Sequence, residues 1–342
     1  MNTSSPALLT IAIPTYNRND ILKANLRPLL EQLAREPFAS KCRLVIYDNA
    51  SPVPVEEALA SLREEFSSVP FEVRRNRANI GANANILRCF EECDTPYLWP
   101  LGDDDTPLPG ALQTLFCAIE AQPECVFFSF SDEKLMRASS TQTRGADEFA
   151  LALDSLWLLL CISSSLYRAD KLKSSLRVGY RFEYSHAPHL VTLLAFLAGH
   201  GKNEQCRLER EQIVHWHAPE EGQQWPLLPF ALGIATMLEL PLSMPARRHL
   251  AGRIVEALNV EVLVLQLLLS SVREKNAAPS LFLFDQMCAR LFYFDKNRKR
   301  RFKLRIYRFM LRAPRLSYTL LSRLKGRGRA PEHQLQDLFE RV

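Results

Sequence analysis

The sequence predicts an α/β fold, a doubly wound and mostly parallel sheet followed by a C-terminal helical extension. Three observations carry that expectation. Short apolar runs of strand length alternate with stretches of helical periodicity from about residue 8 to residue 130. A polar cluster closes each of the first four apolar runs. Composition, at 47% hydrophobic and 24% charged over 342 residues, supports a large buried core and excludes a chain that is disordered over most of its length.

The elements follow in order. Residues 8–13 form an apolar strand ended by Pro14 and Thr15, and Asn19 or Asp20 is placed to cap the next helix. That helix carries Leu22, Leu26, Leu29, Leu30 and Leu33 on one face, with Pro28 as a point of kinking. A second strand, 44–47, ends in Asp48 and Asn49 and leads to a helix over 56–66. The third strand, 71–74, ends in Arg75, Asn76 and Arg77. A turn at Ile80 and Gly81 opens a helix through Cys93, and the fourth strand, 97–101, delivers Asp103, Asp104 and Asp105. Helix 109–121 and strand 125–130 complete the series. Ligands of wound sheets bind beyond the carboxyl ends of the strands, so four consecutive polar ends describe one site better than four unrelated turns.

The acidic triplet is the sharpest of these signals. Carboxylates packed this closely repel one another unless a cation neutralises them. In an extended segment Asp103 and Asp105 point the same way. Two converging oxygen donors suit a hard divalent ion, Mg²⁺ or Mn²⁺, of the kind that holds phosphate oxygens.

With these residues in view, the chain resembles the large family-two type of inverting glycosyltransferases on the GT-A fold, common in bacterial polysaccharide and O-antigen assembly. The matching pieces run from Ile11 through Pro14, Thr15, Tyr16, Asn17 and Arg18; from Val45 through Asp48, Asn49, Ala50 and Ser51; from Asn76 to Gly81; and from Leu101 to Asp105. The likeness is close over about 8–135, the nucleotide-sugar half, and looser over 150–225, within the acceptor half of about 136–225. Residues 226–342 form a separate helical region with a basic amphipathic tail.

The resemblance implies that Pro14, Thr15, Tyr16 and Arg18 border a nucleotide base and that Asp48 bonds its edge. It implies that Asn79, Gly81 and Asn85 frame the sugar nucleotide, with Arg77 and Asp104 near it. Asp103 would contact ribose or metal, and Asp105 would ligate the metal. The donor would be a nucleotide sugar of the UDP or dTDP type, and the acceptor a saccharide or a lipid-linked sugar. Members of the family use an acid in the second half as general base, often within an acidic pair. No such pair follows directly on 161–167, the segment corresponding to the strand before the acceptor segment: Glu183 is the sole acid between Asp170 and Glu204, which makes Glu183 the expected base with His186 close behind. His189 reads as a core residue at a helix start. The segment 214–225 is similar to the loop that closes over the donor, where His215 or His217 could complete the metal shell and a tryptophan could stack on a sugar.

Two other readings stand beside this one. A nucleotidyltransferase-like enzyme would carry a Gly-rich phosphate loop after the first strand, and 14–20 contains no glycine. A GT-A binding module without activity would explain the missing acid pair.

The tail sets a further expectation. Fifteen Lys and Arg face Asp295 alone across 286–329, although the whole chain carries only +5. From residue 281 onward apolar and basic residues alternate, a pattern suited to an anionic membrane surface and without a recognisable nucleic-acid motif. The eight cysteines form no CxxC pair, which reads as reduced thiols without a zinc site. With no basic leader and no uncharged apolar run of roughly 18 residues, the expected location is cytoplasmic, peripheral on the inner face of the cytoplasmic membrane.

Overall fold

The computed structural model describes residues 7–35, 37–132, 135–217, 227–258, 260–294 and 298–325. The chain forms two compact units, one of 1–225 with 236–253 and one of 226–235 with 254–342.

The first unit is built on an eight-stranded sheet. Strand β1 (Leu9–Thr15) pairs in parallel with β2 (Cys42–Asp48), and β2 pairs in parallel with β3 (Phe71–Arg75). On its other side β1 runs parallel to β4 (Tyr97–Pro100). A two-residue strand, β5 (Thr106–Pro107), follows the acidic triplet. Strand β6 (Cys125–Ser131) precedes β7 (Thr141–Arg144) and β8 (Ser165–Arg168), and β9 (Gln205–Gln212) lies parallel to β6. Strand β8 is antiparallel to both β4 and β6, and β7 is antiparallel to β9. The order is β3-β2-β1-β4-β8-β6-β9-β7, so six of the eight strands share one direction. A small second sheet joins β10 (Val214–His215) to β5.

Strands flanked on both faces by helices read as continuous apolar runs, and β1 and β6 are buried along nearly their whole length. Helix Asn19–Leu33 turns its leucines into this core, and the same buried face on both sides of Pro28 carries the helix through that residue. Neither Asn19 nor Asp20 caps it; the Asn19 amide donates instead to the Val53 carbonyl at 3.1 Å. The single helix expected over 56–66 is two short ones, Val55–Ala58 and Ala60–Glu65. The strand expected from Cys161 begins only at Ser165. Residues Ile162–Ser164 coil into a 3₁₀ turn, which carries the Ser163 hydroxyl to the acidic triplet.

The second unit is helical. Helices Val260–Arg273 and Ala278–Leu291 bury Leu263, Leu267, Phe284 and Met287, and Arg298–Arg312 and Pro314–Lys325 follow them. Among the described residues no single helix is long and apolar enough to cross a membrane. All eight cysteines are free thiols.

His189 is wholly buried, and its Nε2–H donates to the Leu159 carbonyl at 2.9 Å. Burial pushes its pKa from 6.5 down to about 4. The imidazole is therefore neutral when folded but takes a proton near pH 6.5 when unfolded. Its contribution is complete above that pH and is lost as pH falls from 6.5 to about 4. Urea unfolding at neutral and acid pH should register a loss of about 3 kcal/mol from this residue. The pH dependence in that window should flatten in His189→Gln; an unchanged slope would exclude the assignment.

Candidate active site

Parallel pairing sets the carboxyl ends of β1, β2 and β3 side by side, with Thr15 opposite Asp48 and Asp48 opposite Arg75. The chain leaves β4 beside them through Leu101 and Gly102, whose Leu101 amide still donates to the Ala12 carbonyl at 2.9 Å. The expected polar ends therefore share one edge of the sheet.

The acidic triplet divides its work. Asp103 is 7% exposed and accepts the Thr15 hydroxyl at 2.6 Å and Arg18 Nη1 at 3.1 Å. The same Arg18 nitrogen reaches Asp104 at 2.9 Å, so one guanidinium bridges two carboxylates. Arg18 is about half desolvated yet its pKa rises, because both carboxylates favour its charge. Burial pushes Asp103 upward, against the pull of Thr15 and Arg18.

Asp105 is 4% exposed and accepts a short hydrogen bond from the Ser163 hydroxyl, with the Cys161 thiol at 3.8 Å. Its pKa is pushed up to about 6, first by burial, against the Ser163 hydrogen bond. Its Oδ1 is buried without a close hydrogen-bond partner, although the His217 amide is near enough to hold the pKa down somewhat. Gly102 makes the turn possible: a Cβ there would lie 2.9 Å from Asp105 Oδ2 and 3.1 Å from Asp104 Oδ1.

Segment 214–217 returns to the triplet through the second sheet, where His215 pairs with Thr106. His217 Nε2 lies 3.0 Å from the Thr106 hydroxyl, which in turn donates to Asn25 Oδ1 at 2.6 Å. The two histidine rings stand edge to face at 4.7 Å, and Trp216 packs edge-on to Trp157 at 6.4 Å. The remainder of the expected loop, 218–225, lies outside the described residues.

Asp48 has no exposed surface, and its carboxylate is fully engaged. It accepts the Ser51 amide at 2.8 Å and the Val55 amide at 3.5 Å, and it pairs with Arg75. Asp48 and Arg75, with Arg63, Glu56 and Phe71, line a cavity of about 610 Å³. Pro14 is half-buried and Tyr16 is exposed beside this edge.

Asn79, Gly81 and Asn85 belong to an amide network. Asn49 Nδ2 donates to Asn79 Oδ1 at 2.8 Å and to the Gly81 carbonyl, while its Oδ1 accepts the Ile80 amide and Asn76 Nδ2. Asn76 also donates to Asn85 Oδ1 at 2.9 Å, and Asn85 Nδ2 to the Tyr47 carbonyl at 2.9 Å. These side chains shape the 79–81 turn from within. Gly81, at φ 87°, takes a conformation that favours glycine. Arg77, by contrast, is exposed.

Glu183 comes close to this turn: its Oε1 is 3.7 Å from where a Cβ on Gly81 would stand. Glu183 opens a 3₁₀ turn, Glu183–Ser185, which His186 ends at φ 59°, half-buried, with its pKa lowered by burial. Asn49, Arg75 and Asn76 enter the sequence reading only as members of the polar strand ends, without roles of their own, and Ser163 does not enter it as a site residue. Arg75 and Asn76 were passed over for Arg77 within one polar cluster, and Ser163 sat in a segment read as plain strand.

A divalent cation fits the chemistry of this corner. Its donors are oxygens, two of the three carboxylates are desolvated, and Asp105 Oδ1 is a buried acceptor without a close donor. Among the described residues no three His, Cys, Asp or Glu side chains close a shell by themselves. Such an ion would therefore be shared with substrate oxygens, the usual arrangement where phosphates are held.

A sequence model described as glycosyl transferase family 2 matches residues 10–185. Abequosyltransferase RfbV of Salmonella typhimurium (strain LT2) is 28% identical over 177 residues, 52% of this chain and 50% of that protein. An uncharacterised Mycobacterium tuberculosis protein, MT1568, is 30% identical over 115 residues, 34% of this chain and 33% of that protein. The chain thus spans half or less of the curated relatives it matches. Among solved structures, S. aureus TarS 1-349 in complex with UDP-GlcNAc superposes with a TM-score of 0.60 at 12% identity, over 90% of this chain and 88% of that one. The mannosyltransferase PcManGT from Pyrobaculum calidifontis, in complex with GDP-Man and Mn²⁺, gives 0.52 at 13% identity, over 91% and 88%. The fold is GT-A.

Replacing Gly102 by alanine should force Asp104 and Asp105 apart. Denaturant unfolding should show a loss of about 1–3 kcal/mol, and an unaffected Gly102→Ala protein would mean that the turn is less tightly packed than described.

Proposed function

We infer that this chain, which belongs to glycosyl transferase family 2, is a glycosyltransferase. From that premise we propose that it moves a hexosyl or deoxyhexosyl group, with inversion and with a divalent cation, from a nucleotide diphosphate to a hydroxyl of a saccharide or lipid-linked acceptor. The observation that carries the reading is the pair of buried carboxylates, Asp103 and Asp105, on one strand end beside Thr15 and Arg18. The abequosyltransferase relative supports bacterial surface polysaccharide as the setting.

Asp105 and Asp103 would hold Mn²⁺ or Mg²⁺, which as a Lewis acid neutralises the departing diphosphate. Arg18 now answers the charge of Asp103 and Asp104. Its guanidinium is placed to turn from those carboxylates to phosphate oxygens, which a guanidinium fork can hold through two nitrogens. The cavity beside Asp48 and Arg75 is the candidate base pocket, with Asp48 fixing the pocket wall through Ser51 and Val55. Ser163 positions Asp105 and leaves its second oxygen available.

The transfer breaks the bond between the anomeric carbon and the diphosphate oxygen and forms one from the acceptor oxygen on the opposite face. The acceptor hydroxyl proton passes to a side chain, and the bonding electrons leave with the diphosphate. Glu183, beside the 79–81 turn, is the proposed base, with His186 as the second candidate. Burial lowers the pKa of His186 and so favours its neutral imidazole, the form that accepts a proton.

Two measurements test this reading. Nucleoside diphosphates should raise the melting temperature in the presence of Mn²⁺ and much less without it, and Asp105→Ala should abolish the metal-dependent part. Retention of that part would remove Asp105 from the site. In transfer assays Glu183→Gln should lower kcat by about 10²–10⁴ with little change in donor affinity. If His186→Gln has that effect and Glu183→Gln does not, the base is His186.

A further inference from the structure

The second unit contains a helix with two unlike apolar faces. Along Arg298–Arg312, Leu304 and Leu311 are buried seven residues apart. Lys303 pairs with Glu261 of helix Val260–Arg273, and Arg308 holds Asp285 of helix Ala278–Leu291 through contacts of 2.7 and 2.6 Å. These contacts fix the rotation of the helix about its axis. At 100° per residue, Phe302, Ile306 and Phe309 then fall on the side opposite Leu304 and Leu311. They are 64%, 44% and 68% exposed, a contiguous stripe at spacings of four and three. Arg298, Arg305 and Arg312, themselves exposed and seven residues apart, run along one flank of that stripe.

From this arrangement we infer that the outer face of Arg298–Arg312 docks flat on an anionic phospholipid surface. Phe302, Ile306 and Phe309 enter the headgroup boundary, and the arginine row pairs with lipid phosphates. Charge complementarity commits the occupant. A second copy of the chain, seated about a two-fold axis, would set this arginine row near its own equivalent. A nucleic acid would take the arginines but leave three large apolar side chains against phosphate. A bilayer interface accepts both, with the apolar face lying about 5–10 Å deep. The face lies within the second unit, so the inference is independent of the chemistry proposed for the sheet edge.

The test is co-sedimentation of the full chain with vesicles of phosphatidylcholine alone and of phosphatidylcholine mixed with phosphatidylglycerol. The mixed vesicles should bind, and the neutral ones far less. Changing Arg298, Arg305 and Arg312 to Gln should weaken binding by about 100-fold, at roughly fivefold for each arginine. The triple change of Phe302, Ile306 and Phe309 to Ser should weaken it comparably without lowering the melting temperature, since these side chains are exposed. Equal binding to neutral vesicles would overturn the inference. So would undiminished vesicle binding by the Phe302→Ser, Ile306→Ser, Phe309→Ser protein, which would leave a purely electrostatic contact of the kind a nucleic acid makes. A wild type that dimerises through this stripe and ignores vesicles would overturn it equally.

Discussion

A carboxylate removed from water must be met by hydrogen bonds, a cation or a proton. Asp103 and Asp105 are both buried at the end of β4, and much of the surrounding architecture serves that demand. Thr15 at the end of β1 and Arg18 at the helix start meet Asp103. Ser163, delivered by a 3₁₀ turn before β8, meets Asp105. The compensation is incomplete: both pKa values stay raised, and one Asp105 oxygen keeps no close donor. A site left short of positive charge in this way has the chemistry that the proposed cation would answer.

The neighbouring strand ends solve a different problem. Asp48 is also buried, and two backbone amides and Arg75 partner its carboxylate, which braces the strand end locally. Asn49, Asn76, Asn79 and Asn85 join side-chain amides to backbone groups across two loops and helix Ala82–Glu92. Such networks set a unique loop shape when every member is paired. Here the shape includes the left-handed Gly81, and it brings the turn against Glu183. Glu183, the proposed base, thereby lies beside a turn that follows β3.

The family match over residues 10–185 and the GT-A likeness to TarS and PcManGT agree with a sheet whose first four strands were legible from periodicity. Boundaries were legible to within a residue or two where apolar runs were continuous, as at β1, β2 and β6. They were less so at 56–66, where the pattern of one helix is satisfied by two. They failed at Cys161–Ser164, where a side chain's duty to Asp105 overrides local strand propensity.

The sequence by itself determined that the polar residues would share one edge, because strand direction and side-chain alternation follow from local periodicity. It also carried the acidic triplet and the basic tail, since charge density is a property of composition. Only the tertiary structure decided which partner each charge has. Arg18 bridging Asp103 and Asp104, Arg75 rather than Arg77 on Asp48, and Ser163 under Asp105 are pairings across 27 to 86 residues of chain. The outward turn of Phe302, Ile306 and Phe309 likewise depends on which face of the helix finds the core. Desolvation and hydrogen-bond geometry are set by what packs nearby in space, and spacing along the chain does not encode that.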